Sequence, residues 1–101
     1  MNRTLVIYTT KPEHTEENAR LVSSVFDELQ AKAPKGLRYM VLRYGEGRFL
    51  HLVEQRDGAP SLPDFDAFRA FQKGASERWL VRPEVNQVTV VGSYGMIPDA
   101  A

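Results

Sequence analysis

Apolar residues recur in this chain with two alternating periods, and the alternation predicts its elements. "TLVIYTT", residues 4–10, is a β-branched run that stops where Pro12 would remove a ladder donor, so it predicts a first strand. Val22, Val25, Phe26, Leu29 and Ala33 then recur at helical spacing behind Glu16 and Glu17, which suit a helix N-terminus, with Thr15 as the expected N-cap. Pro34 cannot continue that helix, and Gly36 can turn the chain. Leu37–Tyr44 predicts a second strand, "GEG" at 45–47 a tight hairpin, and Arg48–Gln55 a third strand pairing back. After the turn-forming "RDGAPSLP", Ser61, Pro63 and Asp64 predict a capped helix start, and Phe65, Phe68, Phe71 and Ala75 mark one face of the second helix. Trp79 closes that helix, Pro83 lies beyond its end, and residues 85–94 predict a fourth strand.

The order β-α-β-β-α-β is the ferredoxin-like plan of the α+β class. Right-handed crossovers give an antiparallel sheet ordered 4-1-3-2, with both helices on one face and strands one and three central. No repeat, linker or low-complexity segment interrupts the sequence, so a single domain is expected over 1–101.

A sheet covered on one face alternates apolar and polar residues along each strand. These strands do not. Leu37, Tyr39 and Val41 share one parity, Met40, Leu42 and Tyr44 the other; Phe49, His51 and Val53 oppose Leu50 and Leu52; Val88 and Val90 oppose Val91. Helices cover one face, and a second copy of the same sheet is the simplest cover for the other, so a homodimer is expected.

Composition narrows the function classes. Thirteen basic and thirteen acidic residues leave no net charge and no basic patch for nucleic acid or an anionic membrane. The apolar fraction of 43% and charged fraction of 26% are those of a soluble globular protein. Cysteine is absent, which removes disulfides, thiolate ligands and a cysteine nucleophile together and fits a reducing compartment. The opening "MNRTLVIYTT" has too short an apolar run for a signal peptide, and no segment reaches membrane-spanning length, so a cytoplasmic location is expected.

The element order, the hairpin "YGEGRFLHLVE", the aromatic helix "DFDAFRAFQKGASERW" and the strand "VTVVGSYG" together resemble the antibiotic biosynthesis monooxygenase-like family, over residues 3–96. The resemblance implies a dimeric α/β barrel in which two ferredoxin-like sheets face each other. It also implies a ligand cavity between sheet and helices, and an oxygenation that needs no bound metal or flavin. Other branches degrade haem or isomerise lactones, so the fold does not choose the reaction. The haem-degrading branch carries an axial histidine on the second helix, and residues 64–79 contain none. Many members carry a tryptophan soon after the third strand, where "VEQRDG" has none.

The expected ligand is a small, flat, largely apolar molecule, either oxygenated or only bound. A non-catalytic binding or dimerisation module of the same fold is the alternative. No catalytic set is matched. Tyr8 ends the first central strand, where the family often places a polar pocket residue, although a core tyrosine with its hydroxyl at the rim needs no function. Trp79 could stack on a flat ligand or cap the core. Phe68 is expected to pack on the sheet with Phe65 and Phe71, with little water between, and would line the pocket if that packing is open. Arg43 and Arg78 read as solvated or paired cations. Two distant histidines, His14 and His51, without cysteine do not make a usual metal set, and neither a P-loop nor a dinucleotide fingerprint is present, so no metal or cofactor is expected.

His51 and Glu54 stand three apart on one strand and so point to opposite faces; they cannot be a direct acid–base pair. His51 shares its side with Phe49 and Val53 and is expected to be buried, either as the polar anchor of the cavity or at the dimer interface.

Overall fold

The computed structural model describes residues 1–96, and residues 97–101 of the expected domain lie outside the described residues. The chain forms β1 (Asn2–Thr10), α1 (Thr15–Lys32), β2 (Leu37–Tyr44), β3 (Arg48–Gln55), α2 (Asp66–Gln72), α3 (Ala75–Arg78) and β4 (Trp79–Gln87). The sheet is antiparallel and ordered β2-β3-β1-β4, the expected ferredoxin-like order with β1 and β3 central. No helix among the described residues is long and apolar enough to cross a membrane.

Cross-strand register sorts every strand residue to a face. Tyr8 opposes Phe49, Val6 opposes His51, and Val41 opposes His51 from the other side. These residues face the helices, where Tyr8, Phe49, Val22, Val25 and Phe71 form the buried core. The alternate residues face away. Leu5, Leu52 and Met40 make one row across the strands, and Ile7, Leu50 and Leu42 the next, with Leu42 46% exposed. The doubly apolar strand pattern is therefore real, and the helices answer only half of it.

The helix and turn boundaries depart from expectation in instructive places. Thr15 is the first helical residue rather than the cap. Its hydroxyl donates to the Lys11 carbonyl at 3.1 Å and lies 2.8 Å from the Thr10 hydroxyl, tying the helix to the end of β1. Ala33, expected on the helix face, is the C-terminal cap in left-handed backbone, its N–H donating to the Leu29 carbonyl at 2.7 Å. Gly47 turns the hairpin at φ +76°, and a Cβ there would stand 2.9 Å from the Thr10 carbonyl oxygen, so only glycine fits. Ser61 and Asp64 do pair, the Ser61 N–H donating to the Asp64 carboxylate at 2.9 Å, but they open a single 3-10 turn ahead of α2. Glu28 of α1 accepts the Ala67 N–H at 2.7 Å and fixes the start of α2.

The fourth strand is the main correction. It spans Trp79–Gln87 and not 85–94. Gly74, at φ +72°, splits the second helix into α2 and α3, and Trp79 both caps α3 and opens β4 opposite Thr10. Pro83, which lies beyond the helix end as expected, sits inside β4. There Arg82 and Pro83 stand opposite the single residue Tyr8, a β-bulge on an edge strand, the setting in which a strand tolerates proline. Among the described residues beyond Gln87, only the Val88 N–H reaches β1, at the Arg3 carbonyl. β1 itself begins at Asn2, so the β-branched residues 89–91 have no strand left to pair with.

Candidate functional site

The inner face of the sheet, the turn at residues 61–63 and helices α2 and α3 frame a cavity of about 580 Å³. Tyr8, Tyr39, His51, Phe68, Phe71 and Trp79 are among its walls. All four ligand-binding residues expected from sequence, His51, Tyr8, Trp79 and Phe68, thus meet in one place. Phe68 lines the cavity half-buried and is not sealed in the core, whereas Phe65 and Phe71 are buried. The sheet face of His51, left open by the sequence, is the cavity face.

Polar groups converge at the inner wall. Tyr8 Oη lies 2.8 Å from His51 Nε2, and Tyr39 Oη lies 2.5 Å from His51 Nδ1. Asn18 on α1 donates through Nδ2 to Tyr8 Oη at 2.8 Å. Arg78 donates through Nε to Asn18 Oδ1 at 3.0 Å and through a terminal nitrogen to the Phe71 carbonyl at 2.7 Å. Arg78 is therefore a buried cation built into the site, unlike Arg43, which pairs with Glu16 at the surface. Aromatic rings brace this network. Tyr8 stacks on Phe49 at 5.6 Å, and Tyr39 stacks on Phe26 at 4.9 Å.

Burial sets the protonation states. It pushes the His51 pKa down from 6.5 to about 4, so the imidazole is neutral at pH 7. It pushes the Tyr8 hydroxyl up to about 12, against the opposing pull of the Asn18 hydrogen bond and the Arg78 charge. Tyr39 is raised further, by burial and then by its neighbour Tyr8. The site is an apolar pocket with neutral, preset hydrogen-bonding groups on one wall. Among the described residues no three His, Asp or Glu side chains come together as metal ligands would.

Tyr39 and Asn18 escaped the sequence reading. Asn18 left a signal, because it lies on the helical series Asn18, Val22, Val25, Leu29, and a polar residue at a core-facing position needs partners. Tyr39 shares the parity of Val41, which pairs with His51, but only the register shows the two rings adjacent.

A solved structure from Nitrosomonas europaea, a candidate antibiotic biosynthesis monooxygenase, superposes with a TM-score of 0.72 at 14% identity, covering 89% of each chain. Another candidate antibiotic biosynthesis monooxygenase, from Caulobacter crescentus CB15, gives 0.69 at 14% identity and 90% of each chain. The chain has the fold of the antibiotic biosynthesis monooxygenase-like proteins. A conserved protein from Methanosarcina mazei Go1 gives 0.67 at 22% identity, covering 86% of this chain and 89% of that one. No family model matches the sequence, and no curated protein does. At these identities the likeness to the antibiotic biosynthesis monooxygenase-like proteins is one of fold, and the site must speak for its own chemistry.

Proposed function

We propose that the protein binds a small, flat, largely apolar molecule between sheet and helices and oxygenates it with dioxygen, without a cofactor. The observation that carries this reading is the cavity itself, whose aromatic walls meet a hydrogen-bonded polar cluster at His51. The shared fold with antibiotic biosynthesis monooxygenase-like proteins supports the reaction class. When no cofactor takes part, the substrate must supply every electron that dioxygen accepts. Electron-rich phenols do so most readily, as phenolates. For 1-naphthol the balance is one phenol and one dioxygen giving one 1,4-naphthoquinone and one water.

A second copy of the chain belongs to the same proposal. The outer rows Leu5–Leu52–Met40 and Ile7–Leu50–Leu42 present an apolar surface that a two-fold copy would cover. A cytoplasmic setting completes it, in keeping with a chain that has no cysteine to oxidise.

Binding without turnover is the second reading, and His51 favours it. Both ring nitrogens already hold hydrogen bonds, and burial keeps the ring a poor base. Incubation with 1-naphthol under ¹⁸O-labelled dioxygen separates the two. The oxygenase reading expects naphthoquinone carrying one heavy oxygen, with one dioxygen consumed per naphthol. Saturable binding with no dioxygen uptake would replace it with the binding reading.

A further inference from the structure

We propose that Arg78, Asn18, Tyr8, His51 and Tyr39 form one directed hydrogen-bond chain, ending in a Tyr39 hydroxyl that donates into the cavity and selects ligands presenting an acceptor oxygen. The proposal rests on the reading of the cavity as a ligand site and names the chemical class it takes: a flat apolar body with a carbonyl or phenolate oxygen at the His51 wall.

The direction follows from one group that cannot accept. A guanidinium has donors only, so Arg78 Nε at 3.0 Å fixes the Asn18 oxygen toward itself and turns the Asn18 NH₂ toward Tyr8. Tyr8 Oη thus accepts from Asn18, and its own proton has one acceptor within reach, His51 Nε2 at 2.8 Å. A neutral imidazole that accepts at Nε2 carries its proton on Nδ1, which then donates to Tyr39 Oη at 2.5 Å. The Tyr39 proton remains. Among the described residues no second protein group bonds Tyr39 Oη, and the ring lines the cavity. The opposite direction would make Tyr8 accept twice and leave its own proton unpartnered in a residue only 3% exposed. Burial, which holds His51 neutral, supports the same direction.

The fixed charge of Arg78 lies at the far end of the chain, so each link is polarised toward the cavity. Tyr39 is thereby a better donor than an isolated phenol, and its ring is held by Phe26 at 4.9 Å. An oxygen that gathers negative charge suits this end; a ligand offering only an N–H does not. Arg78 and Asn18 are positioning residues, since they reach the cavity only through Tyr8 and His51.

Nitrogen-15 NMR of His51 reads the direction with no ligand present. The unmodified protein is expected to show the Nδ1–H tautomer. Asn18→Asp replaces the donor with an acceptor, so Tyr8 donates to it and every later bond reverses; its expected tautomer is Nε2–H. An Nε2–H ring in the unmodified protein overturns the proposal. Calorimetric titration with 1,4-naphthoquinone (acceptors only), indole (one N–H donor) and naphthalene (neither) reads the selection. Tyr39→Phe, which removes one oxygen, is expected to weaken naphthoquinone about tenfold and to leave the other two unchanged. An equal change for all three probes, or none, overturns the selection. Failure of every probe to bind the unmodified protein would defeat the ligand reading and the selection with it, while the tautomer would still decide the direction of the chain.

Discussion

Val6, His51 and Val41 stand side by side on the inner face of the sheet, and one residue away on each strand Ile7, Leu50 and Leu42 stand side by side on the outer face. The strands are the same; the surroundings are not. Inside, the helices cover the core beside a cavity walled by rings, and among the described residues every buried polar side-chain atom has a partner. Outside, two aliphatic rows are followed by the ion-paired row Arg3–Glu54–Arg38, and no helix of the described residues lies over them. Aromatic rings bring hydrogen-bonding tips and flat faces to a site, whereas aliphatic rows bring only area. The inner face is thus suited to recognise a particular molecule, and the outer face to meet another flat apolar surface such as its own copy.

The largest effect that would break this comparison lies on the outer face. Leu52→Glu places a charge in the middle of the expected dimer interface, twice by symmetry, and should raise the dimer dissociation constant by about 10³-fold or more. Light scattering after gel filtration measures it. A dimer of unchanged stability would mean that this face is not the interface, and a monomeric parent protein would remove the second copy altogether. An interface on the order of 2,000 Å² in total is expected.

Inner-face packing comes next. Phe49 is 2% exposed and stacks on Tyr8, so Phe49→Ala should cost about 3–5 kcal/mol in denaturant unfolding. Less than about 1 kcal/mol would show that the inner core is looser than its geometry.

A pH titration of stability sharpens the contrast, because the outer aliphatic rows carry no comparable titrating ring. The folded pKa of His51 is lowered from 6.5 to about 4, so the unfolded chain binds the proton more tightly. Stability from this group is complete above pH 6.5 and declines as pH falls toward about 4, by at most about 3 kcal/mol. Urea unfolding from pH 8 to pH 4 should show this decline, and His51→Gln should flatten it. An identical slope in the two proteins would contradict the buried neutral imidazole.

Much of this was legible in the residues. Element order, strand register class and the doubly apolar strands follow from periodicity, because a period of two or 3.6 is a direct image of the backbone. The end of the second helix was not legible. Whether Gly74 breaks a helix or sits within it depends on the strand that follows, and Pro83 reads as lying outside a strand unless the bulge opposite Tyr8 is already known. The β-branched residues 89–91 have strand propensity, but propensity does not supply a partner strand, and β1 has ended. In the site, His51, Tyr8, Trp79 and Phe68 were named one at a time. What joined them was Tyr39, Asn18 and Arg78, residues whose meaning comes from register and from a helix crossing a sheet.

The smallest expected effect tests the cavity wall. Of the two places open to Phe68, packed on the sheet or lining the pocket, the structure shows the second, half-buried, so Phe68→Ala should cost about 1–2 kcal/mol, well below the loss at Phe49. A loss as large as that at Phe49 would mean that the cavity is closed in solution.

One measurement bears on both faces together: a crystal structure of the protein grown with 1-naphthol. The expected result is a flat ligand between sheet and helices, its oxygen within hydrogen-bond distance of Tyr39, and a second copy lying across Leu50 and Leu52. An empty cavity with naphthol held on the outer face would contradict the assignment of the two faces.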